Sequence, residues 1–364
     1  MAAPEPASPK TAETETERVS PPPFEIAGHA IAAGAQATIE IPVSILSDHT
    51  PMSLTVHVAH GREAGPAVFV SAAIHGDEIL GVEIIRRLIR TPEMRHIAGT
   101  VVFVPIVNIF GFLNHTRYLP DRRDLNRSFP GATTGSLASR LARLFMDEVV
   151  ARCEIGVDIH SAAIHRENLP QIRIGPDSPR AAELARAFAA PVIIHSRLRE
   201  GSLRTAAREL GKDVLVYESG EALRFDETGI RLGTKGVLRV LTALGMLPPD
   251  RRLTPVLSPV HSRRSSWLRA PIGGVLRSRR AVGHRVEIGE LVATLSDPLG
   301  GKQTLVTATA AGLIIGRTLL PIVNEGDALF HVAEIEDPPA ADASMEALSA
   351  ALSGDPLFDE EKVL

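Results

Sequence analysis

His75, Gly76, Asp77 and Glu78 set an imidazole and a carboxylate three positions apart, and Asp158-Ile159-His160 offers a second histidine from a remote segment. A close pair plus a distant third donor is a common way to assemble a catalytic zinc site. Zinc takes nitrogen and oxygen ligands at roughly 2.0–2.2 Å and keeps one tetrahedral position open for water. In a chain with 13 histidines an isolated His-x-x-Glu carries little weight. His75, Glu78 and His160 taken together favour a ligand set over three unrelated buried side chains. Glu78 opens a helix, where the dipole favours a carboxylate without any metal, and Asp77 is read in that structural sense alone. Asp158 fits either a plain strand-end residue or the carboxylate that accepts a ligand histidine's second ring proton.

Two further places carry reactive groups. Thr116 to Arg127 is a charged run lying between a buried strand and a helix, and it closes on Asn126-Arg127. A guanidinium grips a carboxylate through two parallel hydrogen bonds, so this pair suits an acidic group on a substrate. Glu218 follows the apolar strand Val214 to Tyr217. A strand-end glutamate is usually a salt-bridge residue. Beside an acidified water it would instead take a proton and return it to a leaving group.

These residues need elements to hold them. Apolar runs at 67–73, 101–107, 154–159, 171–174, 192–194 and 214–217 read as buried strands, and helical periodicity appears at 79–90, 137–150, 179–188 and 227–244. Strand alternating with helix implies a mixed, mostly parallel sheet flanked by helices, an α/β class. Ligands sit beyond the carboxyl ends of strands in such sheets, where His75, His160 and Glu218 all fall. From 254 to 333 short alternating pieces separated by glycines read as an all-β module. The expected division is a disordered tail at 1–23, a catalytic domain at 24–250, a β-rich domain at 251–335 and a second tail at 336–364, with a short helix allowed in its middle.

Composition narrows the classes. The 364 residues are 44% hydrophobic and 23% charged, as in ordinary globular proteins. A net charge of −4 gives no case for nucleic acid, and no apolar run is long enough to span a bilayer. Residues 1–23 lack the basic start and apolar run of a secretion signal. One cysteine, Cys153, excludes an intrachain disulfide and a cysteine-built zinc site, and reads as a buried inert thiol. A cytoplasmic location is the expectation, and a homo-oligomer is left open.

His75-Gly-Asp-Glu78, then Asp124-Leu-Asn-Arg-Ser-Phe-Pro-Gly131, then Asp158-Ile-His160, then Tyr217-Glu-Ser-Gly-Glu221 resembles the succinylglutamate desuccinylase/aspartoacylase family, a branch of the zinc carboxypeptidase-like fold. The resemblance covers roughly residues 40–335. It implies one zinc per chain held by His75, Glu78 and His160, with Glu218 as general base and acid. It further implies that Asn126 and Arg127 hold substrate and that Arg117 polarises the scissile carbonyl. Arg204, in Gly201-Ser-Leu-Arg204, would grip a substrate carboxylate. The C-terminal stretch resembles a biotinyl/lipoyl-type hammerhead, but Lys302 lacks the neighbours of a carrier lysine, so the module reads as structural. The expected activity is zinc-dependent amide hydrolysis on a small N-acyl amino acid or related compound, probed by Glu218→Gln. Two alternatives stand beside it: a carboxypeptidase acting on peptides, and a non-catalytic binding protein with a vestigial metal site.

Overall fold

The computed structural model describes residues 20–253, 259–335 and 337–353. The first expected tail therefore lies almost wholly outside the described residues. Every strand and helix named above from 67 to 244 is present, because each is a fully apolar run or a clear 3.6-residue pattern. Strand Ile155–Ala162 is buried at all eight positions, as a strand covered on both faces must be. Helix Leu80–Arg90 turns Ile84, Ile85 and Leu88 inward while Arg87 pairs with Glu83 and Glu227 outside. Each such aliphatic side chain taken fully from water contributes about 1.5–3 kcal/mol.

Four parallel strands form the centre of one large mixed sheet: Ala98–Val104, Glu63–Ala72, Ile155–Ala162 and Asp213–Glu221. Antiparallel strands Pro51–His60 and Gln36–Ile45 extend one side, and Arg166–Ile174 pairs antiparallel with Asp213–Glu221 on the other. Separate apolar clusters pack on the two faces of this sheet.

The sheet does not stop where the sequence pattern changes. Gly312–Thr318 pairs antiparallel with Arg166–Ile174, and Ala328–Ala333 and Ser265–Arg269 follow it; with Val192–His195, Val260–Ser262 and Arg285–Val286 attached off this row, the sheet has 13 strands among the described residues. A separate antiparallel sheet of four strands completes the C-terminal module. Val192–His195 pairs with residues 171–174 of strand Arg166–Ile174, and the edge left at 166–168 is satisfied by the incoming Gly312–Thr318. Past residue 336, where a tail was expected, helix Pro338–Ser353 seats Ala341 and Leu348 in an apolar cluster with Leu169, Val192, Leu313 and Ile315. Two short helices, Ile109–Leu113 and Leu203–Glu209, were not expected, since neither is long enough to show a full helical period.

Candidate active site

His75 stands on the turn between strand Glu63–Ala72 and helix Leu80–Arg90. Gly76 is required there: a Cβ would lie 1.9 Å from the carbonyl carbon of Gly111. The missing side chain lets the turn rest on helix Ile109–Leu113, whose chain runs on to Arg117. His160 lies near the carboxyl end of its strand, directly opposite Glu218 in the parallel register. The pairing of Asp213–Glu221 shifts just after Glu218 on both sides, and bulges of this kind re-aim side chains.

The ligand atoms of His75, Glu78 and His160 all lie within 4.8 Å of one another, and all three residues are buried. Glu78 bridges the rings, with Oε1 2.7 Å from His75 Nδ1 and Oε2 2.7 Å from His160 Nδ1. Each imidazole turns its other nitrogen towards a carboxylate. His160 Nε2 is 2.7 Å from Asp158 Oδ2, and His75 Nε2 is 3.2 Å from Asp124 Oδ1. Those carboxylates are themselves fixed: the Ser71 hydroxyl donates to Asp158 at 2.8 Å, and Arg117 Nη2 donates to Asp124 at 2.9 Å. Arg117 Nη1 also donates to Glu78 Oε1 at 3.2 Å.

The charges explain the titration. Burial alone would raise the Glu78 carboxyl, yet His75 and His160 together hold it well below the carboxylate range. Burial alone would lower His160, yet Asp158 and Glu78 hold it well above its ordinary value. A buried spot that retains protons so strongly attracts positive charge, and a divalent ion at the same three donors would replace those protons. Two ring nitrogens, one carboxylate and an acid behind each histidine make a donor set that fits zinc.

The same pocket is also cationic. Half-buried Arg173, Arg204 and Arg166 line it together with the exposed Arg199 and Arg127. Burial, reinforced by Arg173, pushes the Arg204 guanidinium down to about 10. Its Nη1 and the Nε of Arg173 are buried with no protein partner. Arg166 stands over the ring of Trp267 at 5.1 Å, and His331 stacks on that ring with centroids 4.6 Å apart. Glu218 lines the pocket as well; its Oε2 accepts from Asn168 Nδ2 at 2.7 Å and its Oε1 is 3.5 Å from Arg173 Nη1. The cavity holds about 290 Å³, the size of a small-molecule site.

All eight residues singled out from the sequence line this one cavity: His75, Glu78, His160, Glu218, Arg117, Asn126, Arg127 and Arg204. Asn126 has a second task, since its Oδ1 accepts from Leu203 N at 3.0 Å and ties the Asp124–Arg127 turn to the helix carrying Arg204. Arg127 is exposed at the rim. Asp77 is buried outside the donor cluster, and its backbone oxygen accepts from Leu223 N. Cys153 is buried, which pushes its thiol up to about 12. Asp124, Asn168, Arg173, Arg199 and Trp267 were not singled out. Asp124 lay inside a quoted motif and Trp267 is the chain's one tryptophan. Arg173 and Arg199 carried no local signal.

Comparison with known proteins agrees with this geometry. Residues 64–244 match the succinylglutamate desuccinylase/aspartoacylase catalytic domain. The chain is 25% identical over 286 residues to the N-alpha-acetyl-L-2,4-diaminobutyric acid deacetylase of Halomonas elongata, covering 75% of this chain and 84% of that one. Its fold is similar to the product-bound ectoine utilization protein EutE (DoeB) of Ruegeria pomeroyi, at TM-score 0.74 and 24% identity over 82% of this chain and 95% of that one. It is equally similar to a succinylglutamate desuccinylase/aspartoacylase structure from Rhodobacter sphaeroides, at TM-score 0.74 and 24% identity over 82% and 96% of the two chains. This chain belongs to the succinylglutamate desuccinylase/aspartoacylase family of amide-cleaving enzymes. Among the described residues no helix is long and apolar enough to cross a membrane.

Proposed function

We propose that this chain is a zinc-dependent deacylase that releases the amine from a small N-acyl amino acid or related compound carrying a carboxylate. The observation that carries the proposal is one small cavity with a His75–Glu78–His160 donor set on one wall and buried, unpartnered arginine nitrogens on the other. Zinc, when bound, acidifies a water and polarises the scissile carbonyl. Glu218 takes the proton of the attacking water and delivers it to the departing nitrogen. Arg117, already beside Glu78, donates to the oxygen that gains negative charge. Arg204 and Arg127 hold the substrate carboxylate, Asn126 keeps their two segments together, and the desolvated Arg204 gains most from an anion. We read the frame of residues 24–250 as zinc-carboxypeptidase-like, with 251–335 as a structural module that walls the pocket. Trp267 and the small volume favour a compact substrate over a peptide.

The test is amine release from a panel of N-acyl amino acids together with metal content by mass spectrometry. Glu218→Gln should lower kcat about 10²–10⁴-fold, the usual contribution of a general base, while zinc stays bound. Retained turnover with retained zinc would refute the assignment of the base.

A further inference from the structure

We infer that Asn168 is a positioning residue for Glu218 and that the C-terminal module, through Gly316, sets its placement. The inference rests on the reading of Glu218 as general base. Asn168 is only 9% exposed and sits on strand Arg166–Ile174 between two neighbours, Gly220 of the catalytic strand and Gly316 of the C-terminal strand. Its Nδ2 donates to Glu218 Oε2 at 2.7 Å. The carboxylate fixes the orientation of the amide, since an amide oxygen in that place would face a like charge. Its Oδ1 therefore points to Gly316, where a Cβ would lie 2.8 Å away. Gly316 has no left-handed backbone. Glycine is needed there for the space that Asn168 occupies and not for the turn of the chain.

The consequence is a division of labour between the two carboxylate oxygens. Oε2 is tied to Asn168, and Oε1, with Arg173 3.5 Å away, is the oxygen left to accept the water's proton. Glu218 stands just before a register shift in its strand, so its own backbone holds it less firmly than an unbroken ladder would. A group from the next strand supplies the missing constraint. Reacting groups displaced by about 1 Å lose on the order of 10²-fold in rate, so a tether of this kind acts on kcat.

The experiment is a double-mutant cycle on the zinc-loaded enzyme, with Glu218→Gln in parallel. Asn168→Ala is expected to lower kcat by at least about tenfold, with KM within about twofold and zinc content unchanged. Asn168→Asp keeps the shape but removes the donor, and should lose as much even if the alanine variant folds poorly. Gly316→Ala meets one pocket side chain, Asn168, and displaces its amide. It should lower kcat several-fold in the wild-type background and have no effect on kcat in the Asn168→Ala background. Asn168→Asp with wild-type kcat, or equal losses from Gly316→Ala in both backgrounds, would overturn the inference. If Glu218→Gln itself keeps turnover, the base assignment fails. If Glu218→Gln is inactive while both Asn168 variants are not, the tether alone fails.

Discussion

The two walls of the pocket carry opposite charge, and each is incomplete in a complementary way. On one, Glu78, Asp124 and Asp158 surround His75 and His160 and hold protons tightly. On the other, Arg173, Arg199 and Arg204 crowd together, and two of them keep a buried nitrogen without a protein partner. Burying charge is costly unless it is matched. A divalent cation would match the first wall and an anion the second. In the function we propose, a zinc ion at the first and a substrate carboxylate at the second would hold the amide near Glu218 and Arg117.

A second histidine pair shows what the first wall adds. His195 and His261 stand in contact, Nε2 to Nδ1, at 3.1 Å. Burial, then His261 and Arg263, push His195 below its ordinary value. What distinguishes the first wall is Glu78 between its two rings, with Asp158 behind His160 and Asp124 behind His75, the donor set that fits a divalent ion.

Each wall can be broken separately. Of the two walls, the larger effect is expected from Arg204→Ala: kcat/KM for an N-acyl amino acid should fall on the order of 10²-fold, as for loss of a buried charged pair. The same variant should handle the corresponding carboxamide almost as wild type does, since that substrate has no charge to lose. Equal losses on both substrates would remove Arg204 from carboxylate binding. Asp158→Asn acts on the other wall. It should weaken zinc about 10–100-fold by unsettling His160, measured by competition with a chelator, and leave KM nearly unchanged once zinc is in excess.

A smaller effect reports the cationic field itself. Burial, with Arg173 and Arg199, pushes His331 down to about 3 from its ordinary 6.5. The folded protein therefore keeps this ring neutral where the unfolded chain takes up a proton. Between pH 6.5 and 3 the unfolded state binds more protons, so stability falls as pH falls, by about 1.4 kcal/mol per pH unit from this group. His331→Gln should show a shallower loss of urea midpoint from pH 6.5 to 5. An unchanged slope would contradict the burial of a neutral ring. The smallest effect is on the thiol: Cys153 should give no reaction with a thiol reagent in the native protein and one equivalent after unfolding. Rapid native labelling would contradict its burial.

The two walls also differ in how they were written in the sequence. The metal wall is built from short local motifs at the ends of buried strands, and both the apolar runs and His75, Glu78, Asp158 and His160 are visible along the chain. The cationic wall is assembled across long separations. Arg173 lies on a strand flanked by Asp213–Glu221 and, at its start, by Gly312–Thr318, and Trp267 and His331 come from the paired strands Ser265–Arg269 and Ala328–Ala333. Nothing local to those residues marks them. A change of pattern near 250 was legible, but the continuous sheet across it was not. A strand's free edge is a property of the folded sheet, and no residue of Arg166–Ile174 announces that Gly312–Thr318 will cover it. Asn168 is hidden for the same reason, since its two partners come from two other strands.

The measurement that tests the account most directly is amine release from N-acyl amino acids by wild-type protein stripped of metal and then reloaded with zinc. The account predicts loss of turnover on stripping, and recovery at one zinc per chain. Turnover that survives stripping, or none after reloading, would contradict it.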